Sequence, residues 1–175
     1  MSPKAIVPKP IKNPVLRFFT LSFSSALGTG YSKFAPGTVG SVLGIPLGLW
    51  WIQYPGWQAM LMALFLLLIS APITHRACEH WGEMDSSKVT FDEVLGQAIT
   101  LIGLRGFVRI EGVMPPWYFI LAAFLIFRIL DIVKPFPART MDNKPSGWGV
   151  MLDDVVAGIY GALVISAAAR MFLLY

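Results

Sequence analysis

The run WQAMLMALFLLLISAPI, from Trp57 to Ile73, carries no charged residue, and its centre from Met60 to Ile69 is almost wholly aliphatic. A helix that crosses a bilayer needs about 20 mainly apolar residues, so this stretch reads as a transmembrane helix. The rest of the chain agrees with it. Of the 175 residues 55% are hydrophobic and 14% charged, with a mean hydropathy of +0.64. A soluble domain usually carries about 25% charged residues.

Outward from that run, Pro55-Gly56 marks a tight turn. Before it, Val39 to Tyr54 is apolar and rich in glycine, with Pro46 inside. Phe18 to Gly30 is small and weakly apolar, and Tyr31 to Thr38 reads as a loop. After it, His75 to Asp92 is polar, Val94 to Leu104 is apolar but short, and Arg105 to Pro116 is mixed. Trp117 to Val133 is apolar apart from Arg128 and Asp131, Lys134 to Gly149 is a polar loop, and Met151 to Tyr175 is apolar after Asp153-Asp154. The pattern predicts an all-α, polytopic membrane protein of about four to five apolar helices. Residues 1–17 are expected as an N-terminal cytoplasmic tail and 18–175 as one membrane domain. No cleaved signal peptide is expected, because the proline- and lysine-rich start lacks an apolar core with a small-residue cleavage site.

Basic residues give the orientation. With the N-terminus cytoplasmic, that side receives Lys4, Lys9, Lys12, Arg17, Lys33, Arg76, Lys88, Lys134, Arg139 and Lys144, and the other only Arg105, Arg109 and Arg170. Basic residues scattered between apolar runs suit topology control and anionic lipid contact, not nucleic acid. The same topology brings Lys33 to Thr38, His75 to Glu93, Arg128 to Lys134 and Asp153-Asp154 to one face. Acids beside apolar spans are costly and mark function or a paired interior.

Each constellation has a plain and a chemical reading. Thr90 with Glu93 three residues on is a capping box, or Glu93 is a metal ligand. Arg128 and Asp131, three apart, share one helical face, and Pro135 restricts Lys134 and ends the helix there. They form an internal salt bridge, or Arg128 and Lys134 hold phosphate oxygens while Asp131 binds a cation. Asp153-Asp154 favours the positive end of a helix dipole, or flanks an ion. Glu93, Asp131, Asp153 and Asp154 are hard oxygen donors suited to Mg²⁺. The Phe34 to Ser41 loop offers helix-start N–H groups, Lys33, Thr38 and Ser41 to a phosphate. Gly44 and Gly48 read as close helix packing, and Gly37 and Gly40 as packing or phosphate contact. His75, Cys78, Glu79 and His80 lack zinc spacing. As the only cysteine, Cys78 forms no intramolecular disulfide.

Several phosphatase chemistries are excluded by residue. Cys78 is followed six residues on by Met84, where a cysteine phosphatase needs arginine. There is no Asp-x-Asp pair, and Trp148 stands where a histidine would follow Pro145-Ser146-Gly147. Attack by water assisted by a metal remains, with cationic side chains stabilising phosphoryl charge.

The runs Phe34-Ala35-Pro36-Gly37-Thr38, Asp92-Glu93-x-x-Gly96, Phe127-Arg128-x-x-Asp131-x-x-Lys134-Pro135-x-Pro137 and Asp153-Asp154-x-x-Ala157-Gly158 resemble the phosphatidylglycerophosphatase A family, in its order and over roughly residues 20 to 165. The resemblance implies a Mg²⁺-dependent bacterial inner-membrane hydrolase of phospholipid biosynthesis, converting phosphatidylglycerophosphate to phosphatidylglycerol at the cytoplasmic face. Under this reading Glu93, Asp131, Asp153 and Asp154 hold Mg²⁺, and Asp92 is a further ligand or an orienting base. Arg128 and Lys134 clamp the phosphomonoester, with Lys33, Thr38 and Ser41 as lesser contacts. Two other classes are an ion-coupled transporter and a non-catalytic anionic-lipid-binding protein. A transporter would place its polar residues at the bilayer midplane, whereas here they sit at span ends.

Overall fold

The computed structural model describes residues 4–84, 86–142 and 146–174; residues 1–3 of the expected tail, Lys144, Pro145 and Tyr175 lie outside them. Among the described residues the regular structure is helical apart from one short antiparallel pair, β1 (Lys4–Ala5) with β2 (Glu83–Met84), in which Lys4 faces Met84 and Ala5 faces Glu83.

Local chemistry sets the helix boundaries. In α1 (Pro14–Ser24) the Asn13 side chain accepts the Val15 and Leu16 N–H groups at 2.9 and 3.2 Å, and proline takes the first position, where no N–H is needed. A proline also opens α2 (Pro36–Trp51), and Pro55 precedes α3 (Gly56–Trp81). The α3 helix ends at Gly82, whose φ of 76° is a left-handed conformation that glycine adopts freely. It runs eight residues beyond the apolar stretch that ended at Ile73, through a region whose polarity suggested a loop. Arg76 and Glu79 pair across one turn there at 2.9 Å, so the polar residues continue the helix.

The short α4 (Phe91–Ile102) is the centre of the molecule: from Val94 to Leu101 every residue is buried. A π-helical turn (Phe107–Glu111) follows, then α5 (Trp117–Val133), α6 (Ala138–Asp142) and α7 (Gly147–Leu174). The α2, α3, α5 and α7 helices all pack against α4. Two sets of glycines let them approach. Gly44 and Gly48 lie on α4 so closely that a Cβ on Gly48 would stand 2.7 Å from Leu101 atoms, which is the packing role expected for them. Gly96 of α4 and Gly158 of α7 meet backbone to backbone, and a Cβ on Gly158 would stand 3.1 Å from the Gly96 Cα. Apolar clusters fill the space on either side, one around Leu95, Ala98 and Met151, the other around Leu101, Phe107 and Ile165.

Among the described residues, α3 and α7 are the two helices long and apolar enough to cross a membrane. Their outward faces carry exposed apolar side chains, among them Phe65 at 66% and Leu163 at 64% exposure. Among the other apolar segments, α2 and α5 have 16 and 17 residues and α4 has 12. At 1.5 Å per residue α4 is about 18 Å long, well short of a hydrocarbon core of about 30 Å. The N-terminal segment is tied down: Ile6 donates to the Gly82 carbonyl at 2.9 Å, and Lys9 pairs with Glu79 at 2.8 Å. Helix α1 begins at Pro14, within the stretch read as tail.

Candidate active site

The Gly96–Gly158 crossing decides where the acids go. Asp92-Glu93 precede Gly96 by about one turn on α4, and Asp153-Asp154 precede Gly158 by about one turn on α7. A backbone contact below each pair brings both acidic first turns together. The end of α5 supplies Asp131 and Lys134, and the start of α2 supplies Pro36 and Gly37. With Ser86, Ser87 and Val89 they line one cavity of about 190 Å³.

Ion pairs cross this space between helices. Arg128 holds Asp131 at 2.8 Å across one turn of α5, and reaches Glu93 of α4 at 3.3 Å. Lys134 Nζ stands 2.6 Å from Asp153 Oδ2 of α7. Lys134 caps α5 with φ 47°, a left-handed conformation uncommon for a side chain larger than asparagine. Proline follows it, and the resulting bend aims the ammonium group at α7 instead of along α5. Among the described residues, five carboxylates thus gather here with Arg128 and Lys134 among them.

Of the two readings open for Thr90 and Glu93, the capping box does not form. The Thr90 side chain makes no cap bond; its hydroxyl instead meets that of Thr29 at 2.8 Å. Asp92 accepts the Glu93 N–H at 2.9 Å, so the Glu93 carboxylate is turned to Arg128. Its other oxygen, Oε2, is buried with no hydrogen-bond partner among the described residues. Gly37 and Gly40 pack against this carboxylate: a Cβ on Gly37 would occupy its place, and one on Gly40 would stand 3.0 Å from Oε2. Both acids lie in the first turn of α4, outside the two membrane-length helices. Burial raises the Asp92 carboxyl well above the ordinary carboxylate range, and the neighbouring Glu93 and Asp153 charges add to it. Burial also raises Glu93, to about 7, against the opposing pull of Arg128.

The donor set fits a hard divalent cation in kind and in charge, and the Glu93 Oε2 oxygen is without a hydrogen-bond partner among the described residues. Among the described residues, however, no group of three His, Cys, Asp or Glu side chains is already arranged to hold a metal. Arg128 and Lys134 occupy the acids instead.

The expected lesser contacts sit further out. Lys33 is exposed, and neither it nor Thr38 lines the cavity. Ser41 is fully buried; its hydroxyl donates to the Gly37 carbonyl at 2.9 Å and accepts from Arg128 at 3.3 Å. It touches the guanidinium and not the open space. Ser86 and Ser87 come from a stretch whose sequence matched no motif. His75 accepts the Gly147 N–H at Nδ1, 3.2 Å, tying the start of α7 to α3, and His80 Nδ1 accepts the Ile11 N–H at 3.0 Å.

The phosphatidylglycerophosphatase A family profile matches residues 22–169. The chain is 35% identical to the phosphatidylglycerophosphatase A of Escherichia coli over 141 residues, 79% of this chain and 76% of that protein. It is also 35% identical to the Haemophilus influenzae protein of the same name, covering 80% and 82% of the two chains. A candidate phosphatidylinositol-3-phosphatase from Bacteroides thetaiotaomicron is 37% identical over 157 residues, 86% of this chain and 94% of that one. No solved structure matches this chain.

Proposed function

The chain belongs to the phosphatidylglycerophosphatase A family, and from that premise we propose that it is a Mg²⁺-dependent lipid phosphatase. Its substrate is phosphatidylglycerophosphate, and its products are phosphatidylglycerol and inorganic phosphate. The observation that carries this reading is the convergence of the four motif segments on one cavity, which five carboxylates and Lys134 line while Arg128 pairs with two of those acids.

Glu93, Asp131, Asp153 and Asp154 would hold Mg²⁺, which when bound supplies a Lewis acid and an activated water. Arg128 and Lys134 would bind the non-bridging phosphoryl oxygens and stabilise the charge that builds on them. Both must then shift from their present acidic partners toward the substrate. Asp92, whose Oδ1 accepts the Glu93 N–H, has a second carboxylate oxygen to orient the attacking water and take its proton. The water oxygen bonds to phosphorus as the bond to the glycerol oxygen breaks, and that oxygen leaves as the alcohol after gaining a proton. No covalent enzyme intermediate forms. The start of α2, which opens on the cavity at Pro36 and Gly37, offers further N–H groups to the phosphate.

In this account the protein spans the bacterial inner membrane several times, with the cavity at the cytoplasmic face. Acyl chains stay in lipid along the apolar faces of the helices while the headgroup enters the cavity. The test is phosphate release by purified protein from phosphatidylglycerophosphate and from phosphatidylinositol 3-phosphate, side by side. Preference for the first supports the proposal. Preference for the second reassigns the headgroup, and turnover of neither refutes phosphatase function.

A further inference from the structure

At the far end of the bundle lies a second cavity, of about 450 Å³. It is bounded by Gly56, the end of α4, the π-helical turn and the last turns of α7. From Asp154 to Arg170 along α7 the distance is about 24 Å, so it is separate from the carboxylate cavity. Its walls are apolar, with Ile102, Ile110 and Leu173 among them, yet three arginines line it: Arg105, Arg109 and Arg170. In the segments that form this end, residues 50–57, 102–117 and 170–174, Glu111 is the one acid. Among the described residues none of the three arginines makes an ion pair. Arg105 Nε donates to the Tyr54 carbonyl, which fixes its guanidinium in place.

Three guanidinium groups of one sign on an apolar wall call for an anion, and guanidinium is the side chain best shaped to grip a phosphate. A soluble anion would meet the arginines but leave the apolar wall bare. A phospholipid covers both. The level is right as well: Trp50, Trp57, Trp117 and Tyr118 ring this end at 48%, 63%, 73% and 45% exposure, as aromatic side chains do where a bilayer meets water. Basic pockets between membrane helices are known to take lipid headgroups. We propose that this cavity binds the phosphodiester headgroup of an anionic phospholipid, drawn from the leaflet opposite the carboxylate cavity. A zwitterionic lipid would bring its own cation against the arginines and bind less well.

The full-length protein in detergent, titrated with phosphatidylglycerol or phosphatidylcholine and weighed intact by native mass spectrometry, tests this without reference to catalysis. Phosphatidylglycerol should be held on the order of 100-fold more tightly than phosphatidylcholine, from roughly three favourable charge contacts. The Arg105→Gln/Arg109→Gln/Arg170→Gln variant should hold one phosphatidylglycerol fewer at the same lipid concentration. If that variant does not fold, Arg109→Gln/Arg170→Gln, which leaves the Arg105–Tyr54 bond intact, decides by the same count. An undiminished count in the variant that folds overturns the proposal. So does displacement of the lipid by an equal concentration of inorganic phosphate, which would mark a soluble-anion site.

Discussion

The two ends of α4 and α7 each gather charge and use it in opposite ways. At the Asp92–Asp154 end, charges of both signs arrive from α4, α5 and α7 and interlock: Arg128 spans Glu93 and Asp131, and Lys134 reaches Asp153. At the Arg105–Arg170 end a single sign lines an apolar hollow, with Arg105 fixed by a backbone carbonyl. Interlocked charges are held in position and leave a net negative excess, which suits a cation and a reacting phosphate. A hollow of one sign attracts but fixes little, which suits a diffusing lipid. Chemistry is therefore expected at the first end and lipid selection at the second.

The sharpest attempt to break this contrast is at the first end. Glu93→Gln or Asp131→Asn should lower phosphate release by about 100- to 1000-fold, the usual effect of removing one charge-stabilising group. Retention of folding, read from the thermal melting point, separates this from collapse. Gly158→Val comes next, since it wedges α4 and α7 apart below both acidic pairs. Overpacking of this kind costs about 1–3 kcal/mol, so melting point and activity should fall together. Arg128→Lys keeps the charge but loses the fork that spans Glu93 and Asp131, and about a tenfold loss of turnover is expected. Smallest is Arg109→Gln/Arg170→Gln, which should leave turnover of a short-chain, water-soluble phosphomonoester within about twofold, as surface changes remote from a site usually do. A loss as large as that from Glu93→Gln would erase the distinction between the ends.

Much of the first end was legible in the sequence because acids beside apolar runs are conspicuous. Arg128 and Asp131 stood at helical spacing, and they pair as that spacing dictates. The glycines after each acidic pair were visible as motif, but their purpose is tertiary: they let two backbones touch. Glu93 could not be settled from sequence. Its capping box depends on the Thr90 hydroxyl, which Thr29, 61 residues away, engages instead. Ser86 and Ser87 read like any loop serines until the fold sets them over the cavity. The extension of α3 to Trp81 was hidden because polarity suggested a loop where an Arg76–Glu79 pair continues the helix. Arg105 and Arg109 are neighbours in sequence, but only the packing of α7 against α4 brings Arg170 to them.

The central claim is that the interlocked carboxylates form a metal-dependent phosphatase site. Its most direct test is phosphate release from phosphatidylglycerophosphate by the purified full chain, with Mg²⁺ and then with a chelator. The expected result is turnover that disappears in chelator, returns when Mg²⁺ is restored, and in Glu93→Gln with Mg²⁺ is lower by about 100- to 1000-fold. Full activity in chelator, or in folded Glu93→Gln, would contradict the account.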